Sequence, residues 1–139
     1  MSDSLYQQQL LALHQQPTGF AVELPNALEH SAVNAVCGDE IRLQLCCEQQ
    51  TIKALSFHGD SCAVCRASAS LLCEQLPGLS LEQAQQLAAE LEAALADDRQ
   101  NVPEPLAPLA HLKRHPIRIQ CALLPWQAFV NLKGGIDAN

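Results

Sequence analysis

Cys37-Gly38-Asp39, Cys62 and Cys121 offer three thiols and one carboxylate on three separate segments of a 139-residue chain. Four such donors at one point make a four-coordinate site of the kind that holds zinc or an iron–sulfur cluster. The gaps between them are too long for a compact zinc finger, so only a fold can assemble the set. Gly38 lets the backbone bend between Cys37 and Asp39 without steric cost. A carboxylate is a harder and more exchangeable ligand than a thiolate for a borderline-soft ion. Asp39 therefore points to a site that can release a ligand, whereas purely structural zinc is more often held by Cys₄ or Cys₃His.

The chain has seven cysteines, and each has a second use as a small buried apolar side chain. That use fits Cys46, Cys47 and Cys73; both uses stay open for Cys37, Cys62 and Cys121. Cys62-Ala63-Val64-Cys65 is also a CxxC pair, which can be a redox couple or half of a metal site. A structural role is the preferred reading of Cys65, with an auxiliary or resolving thiol as the alternative. Three thiolates and a carboxylate around Zn²⁺ carry net negative charge and call for nearby cations or hydrogen-bond donors. His111, Lys113, Arg114, His115 and Arg118 form a basic cluster just before Cys121. Arg118 is the best placed of these; Arg66, one turn beyond Cys62, is another candidate.

The elements that must position these residues follow from periodicity. Residues 3–15 read as a helix capped by Asp3 or Ser4, with Tyr6, Leu10 and Leu13 on one face. Residues 20–36 read as extended or irregular. Residues 40–47 alternate as a half-buried strand, with Ile41, Leu43 and Leu45 on one face. Residues 51–58 alternate again, with Ile52, Ala54 and Ser56 opposite Lys53, Leu55 and Phe57, and pair with the first strand as an antiparallel hairpin. A helix over 62–76, capped by Asp60 or Ser61, places Cys62, Cys65, Ala69, Leu72, Cys73 and Leu76 on one stripe. Its N-terminal N–H groups would favour a thiolate at Cys62. Ser80 and Gln83 form a capping box for a helix over 81–97. Residues 97–108 read as a mobile Pro-rich loop, with a short turn at 109–113. A last helix starts near Ile119–Cys121 and ends by Gly134-Gly135, leaving a frayed tail.

Length and a 48% apolar content fit a single domain spanning 1–139. Eight basic residues against a net charge of −7, and few aromatics, argue against nucleic acid as a partner. No apolar run is long enough for a membrane span, and the N-terminus does not read as a secretory signal. The expected compartment is the cytoplasm, where cysteines stay reduced and available for metals.

NAVCGDEIRL at 34–43, GDSCAVCRASAS at 59–70 and RIQCALLPWQAF at 118–129 together resemble the IscU/NifU-like superfamily of iron–sulfur cluster assembly proteins. The SufU branch is the more similar. The Cys62–Cys121 stretch is long, Gln120 stands where IscU proteins have histidine, and the LPPVK motif is absent. The resemblance implies an α+β fold with a small three-stranded antiparallel sheet covered by helices. It implies zinc held by Cys37, Asp39, Cys62 and Cys121, and a SufS-type cysteine desulfurase whose persulfide sulfur passes to Cys37, with Arg118 matching a family arginine. The sulfur would then move to a downstream iron–sulfur scaffold. The alternative is that this chain is itself the scaffold for an iron–sulfur cluster. Three positions depart from the family pattern: Ala35-Val36 replaces Pro-x before Cys37, Ser61 replaces a glycine, and Cys65 replaces a common serine.

Overall fold

The structure is a computed structural model and describes residues 3–137, with side chains for 5–136. The order is α1 (Asp3–Gln15), β1 (Leu28–Asn34), β2 (Asp39–Glu48), β3 (Thr51–His58), α2 (Ala63–Gln75), α3 (Leu81–Ala96), a 3-10 helix (Glu104–Arg114) and α4 (Pro116–Asp137). The three strands form one antiparallel sheet in sequence order, so the fold is the expected α+β type. The caps foreseen at Asp3 or Ser4 lie outside the described side chains.

β2 and β3 pair as foreseen, and Leu43 faces Phe57 while Leu45 faces Leu55. The alternation read for β3 is corrected. The register skips Lys53 between Cys46 and Cys47, and this bulge shifts the phase of the strand. Ile52, Leu55 and Phe57 therefore all share the inner face with Ile41, Leu43 and Leu45, and all six are buried. The outer face carries Arg42, Gln44, Ser56 and His58. Buried Gln44 is satisfied there by the 23–29 segment: its amide donates to Glu23 and Glu29, and its carbonyl accepts from Ser56 Oγ and Leu24 N–H.

Of residues 20–36, expected to be extended or irregular, Leu28–Asn34 form β1. It is an edge strand whose side chains stay exposed or half-buried, so it shows no strong apolar alternation. The free edge of β3 is covered by Gly19–Ala21 and by residues 78–81, which bond to Phe57, Ile52 and Gln50; covering an edge in this way prevents pairing with other chains.

α2 is buried along most of its length and packs against α1, α4 and β3, while α4 itself packs on β1 and β2. α3 has the foreseen capping box at Ser80 and Gln83. The loop foreseen over 97–108 closes at residue 103, because residues 104–114 form the 3-10 helix. Leu106, Leu109 and Leu112 are buried, and a spacing of three is the repeat at which side chains of a 3-10 helix eclipse. α4 starts earlier than expected, at Pro116, where a preset φ and a missing N–H suit the first helical position. It also runs through Gly134-Gly135 to Asp137. Burial of Leu132 and Lys133 holds this stretch against a glycine cost of about 1 kcal/mol each.

The 3-10 leucines provide a test of this packing. Leu109→Ala should cost ~2–5 kcal/mol in urea unfolding, the range for a buried leucine. A cost near zero would restore the mobile loop.

Candidate metal centre

Asn34 and Asp39 close the β1–β2 hairpin, leaving residues 35–38 as its loop. Asn34 Oδ1 accepts from Val36 N–H at 3.2 Å, and Gly38 takes φ +73°, the left-handed region open to glycine. This loop presents Cys37, half-buried, and delivers Asp39 into the interior at 1% exposure. Asp39 Oδ1 accepts the Cys62 backbone N–H at 2.7 Å, and Oδ2 lies 3.7 Å from the Cys62 thiol. A second tie runs alongside, from Glu40 N–H to Asp60 C=O at 2.8 Å. Gly59 permits it: its φ is +119°, and a Cβ there would collide with the Glu40 carbonyl.

The cap of α2 differs from expectation. Cys62 itself is the N-cap, with ψ 167°, and its sulfur accepts from Cys65 N–H at 3.5 Å. Sulfur is a weak acceptor, so sequence favoured Asp60 and Ser61 for this place. Cys121 also moves. With α4 starting at Pro116, it sits in the second turn rather than at a junction, fully buried. Its Sγ lies 2.9 Å from Cys37 Sγ.

Cys37, Asp39 and Cys121 bring their donor atoms within 4.8 Å of one another, and Cys62 joins them through Asp39. Two donors on one zinc stand at most about 4.6 Å apart, from bond lengths of ~2.0–2.3 Å. Cys37, Asp39 and Cys121 thus come close to the spread that one shared ion needs, and their mix of thiols with a single carboxylate suits zinc. Burial, then hydrogen bonding with Cys37, Asp39 and Cys62, pushes the Cys121 thiol far above the ordinary range. Clustered acids that compete for protons in this way are the groups a divalent cation deprotonates together.

The cations lie at the rim. Arg118 and Arg114 are exposed and line an open groove of about 560 Å³ with Cys37, Cys62, His115, Pro116 and Ile117. Arg66 is engaged elsewhere, its guanidinium 4.1 Å above the Phe20 ring. Lys113 donates to the Asp97 and Gln100 carbonyls.

Sequence reasoning missed Ser68. Its hydroxyl donates to Ala122 C=O at 2.6 Å and accepts from Trp126 Nε1 at 3.0 Å, which fixes the turn of α4 carrying Cys121 against α2. The available signal was a serine amid the apolar stripe of α2. Cys65 and Cys73 are buried as read. Burial first, then the Asp39 charge for Cys65 and the Glu74 charge for Cys73, pushes both thiols up to about 12.

Residues 5–122 match the NifU-like N-terminal domain family. The chain is 27% identical over 130 residues to the zinc-dependent sulfurtransferase SufU of Bacillus subtilis, covering 91% of this chain and 87% of that one. It is 31% identical over 96 residues to the iron–sulfur cluster assembly scaffold protein IscU of Thermotoga maritima, covering 68% of each. Among solved structures, a candidate SUF-system scaffold protein from Fervidobacterium islandicum aligns with a TM-score of 0.78 at 25% identity, over 93% of this chain and 96% of that one. A NifU-like N-terminal protein from Brucella abortus, 16% identical, shares the fold with a TM-score of 0.83 over 99% and 97%.

Thiol reactivity follows from these environments, because the thiolate is the nucleophile. In metal-free protein, alkylation of Cys65 and Cys73 should keep rising about tenfold per pH unit from pH 8 to pH 11. An ordinary thiol, with a pKa of about 8.5, levels off by pH ~10. Mass spectrometry of alkylated peptides reads this directly; a plateau at Cys73 below pH 10 would contradict its buried setting.

Proposed function

The chain belongs to the NifU-like N-terminal domain family, and from that premise we propose that it is a zinc-dependent sulfur acceptor in iron–sulfur cluster assembly. It would take persulfide sulfur from a SufS-type cysteine desulfurase and pass it to a downstream scaffold in the cytoplasm. The observation that carries this reading is the convergence of Cys37, Asp39 and Cys121 within 4.8 Å, with Cys62 tied to Asp39, beside an open groove.

Zinc would be held by Cys37, Asp39, Cys62 and Cys121. When bound, it keeps the thiols deprotonated at neutral pH. The acceptor is Cys37. Asp39 and Cys121 are sealed at 1% and 0% exposure, while Cys37 rides on a hairpin loop and lines the groove. A Cβ on neighbouring Gly38 would meet nothing, so that side of the loop has room to move. The Cys37 thiolate attacks the outer sulfur of the desulfurase persulfide. A new bond forms to Cys37, the old S–S bond breaks, and the desulfurase cysteine departs as a thiolate. Arg118 and Arg114 offset the anionic charge of the incoming persulfide, and exposed Val36 and Ile117 offer apolar contact to the segment that bears it.

Metal content and desulfurase turnover, measured together, test the proposal. Purified protein should hold zinc and raise alanine production by a SufS-type desulfurase, and Cys37→Ser should lose that stimulation. Full stimulation by Cys37→Ser would overturn the role. A brown, cluster-bearing protein after anaerobic purification would favour the scaffold seen in the IscU relatives. Asp39→Ala should weaken zinc by at least the ~10–100-fold that outer partners of a metal cost, as read by chelator competition. Arg118→Ala should retain zinc but slow persulfide transfer.

A further inference from the structure

Cys65 takes no part in the proposed transfer, yet it stands directly behind the site. It is fully buried, and its thiol hydrogen-bonds the Ser61 side chain and feels the charges of Asp39, Cys62 and Cys37. Its backbone N–H points at Cys62 sulfur. The two cysteines occupy the N-cap and third positions of α2, a CxxC placement that keeps both thiols on one helical turn. Cys62 lines the groove; Cys65 has no exposure. One thiol therefore meets solvent oxidants and the other is held in reserve.

We infer that Cys62 and Cys65 form a built-in disulfide switch that withdraws Cys62 from the donor set when the protein meets a peroxide. The Cys62 thiolate attacks one peroxide oxygen; the O–O bond breaks, and Cys62 becomes a sulfenic acid as hydroxide leaves. Cys65 sulfur then attacks Cys62 sulfur, its proton leaves with the displaced hydroxyl as water, and the S–S bond forms. Two thiols are oxidised by two electrons and the peroxide is reduced. A dithiol reductant restores the pair. Cys37 and Cys121 have the shorter sulfur separation, 2.9 Å, and are the competing pair. They come from a hairpin loop and from α4, 84 residues apart in sequence, whereas Cys62 and Cys65 share one helical turn, so their ring closes at much smaller entropic cost.

The metal-release arm of this inference rests on the proposed zinc set; the disulfide arm does not. The experiment treats zinc-loaded protein with hydrogen peroxide, follows zinc with a chromogenic chelator, and maps tryptic peptides. Cleavage at Lys53 and Arg66 leaves Cys62 and Cys65 in one peptide, 54–66, while Cys37 and Cys121 fall in two others. The expected product is peptide 54–66 lighter by two hydrogens, with zinc released and both changes reversed by dithiothreitol. Cys65→Ala should lose that product and accumulate Cys62 sulfinic acid, with zinc loss that dithiothreitol does not reverse. Cys65→Ser, preserving a polar partner for Ser61, serves if the alanine variant fails to fold. A cross-link between the Cys37 and Cys121 peptides with 54–66 unchanged would overturn the inference, as would reversible zinc loss in the Cys65 variants. A protein that binds no zinc but still forms the 54–66 disulfide would sink the proposed metal reading, and with it the metal-release arm, and support the disulfide arm alone.

Discussion

A carboxylate that water cannot reach must be satisfied by its neighbours, because leaving it bare in a low-dielectric interior costs several kcal/mol. Asp39 is such a group, at the first residue of β2. Its shortest partner is the backbone N–H of Cys62, a free donor at the start of α2. One hydrogen bond thus solves two problems, an orphan helix N–H and a buried anion, and it fixes the sheet relative to the helix. The remaining demand of the carboxylate is for positive charge, and the thiols of Cys37, Cys62 and Cys121 around it share that demand. The electrostatics of the interior and the chemistry of the candidate site are the same fact seen from two sides.

The fourth corner is set by helix packing. α4 approaches α2 through Ser68, whose hydroxyl is donor to Ala122 and acceptor for Trp126. Trp126 and Phe129 are fully buried, so the rotation of α4 about its axis is dictated by the largest side chains in the core. Cys121 stands five residues before Trp126 and inherits that rotation. The donors therefore depend on features remote from the metal centre: the Gly59 bend beside β2, the hydroxyl of Ser68 and the aromatic anchors of α4.

Much of this was legible in the sequence where a pattern had one physical cause. Period-two alternation disclosed β2, and Ser80 with Gln83 disclosed the start of α3. Of the four candidate donors chosen by residue type, Cys37, Asp39 and Cys121 lie within 4.8 Å of one another, and Cys62 stands outside that group. Other features were hidden because two causes competed. β1 lies at an edge with exposed side chains, so nothing enforced alternation. Lys53 is an extra residue in its strand, and no composition signal announces a bulge. Pro105 and Pro108 suggested a loop, whereas the leucines three apart carried the structure. Pro116 could have marked the start of α4, but the helix was expected only beyond the basic cluster that surrounds it. Cys62 as its own cap was obscured by the better acceptors just before it.

Pro125, inside α4, has no N–H to give to the carbonyl four residues earlier, which is that of Cys121. The backbone ladder of the helix has a missing rung at the residue that carries a site thiol. The helix stays continuous past the gap. Beyond it Trp126 and Phe129 are buried in the core, and before it Arg118 and Ile117 reach the groove rim. The turn of α4 that lacks a backbone bond is therefore the one between the core anchors and the rim residues.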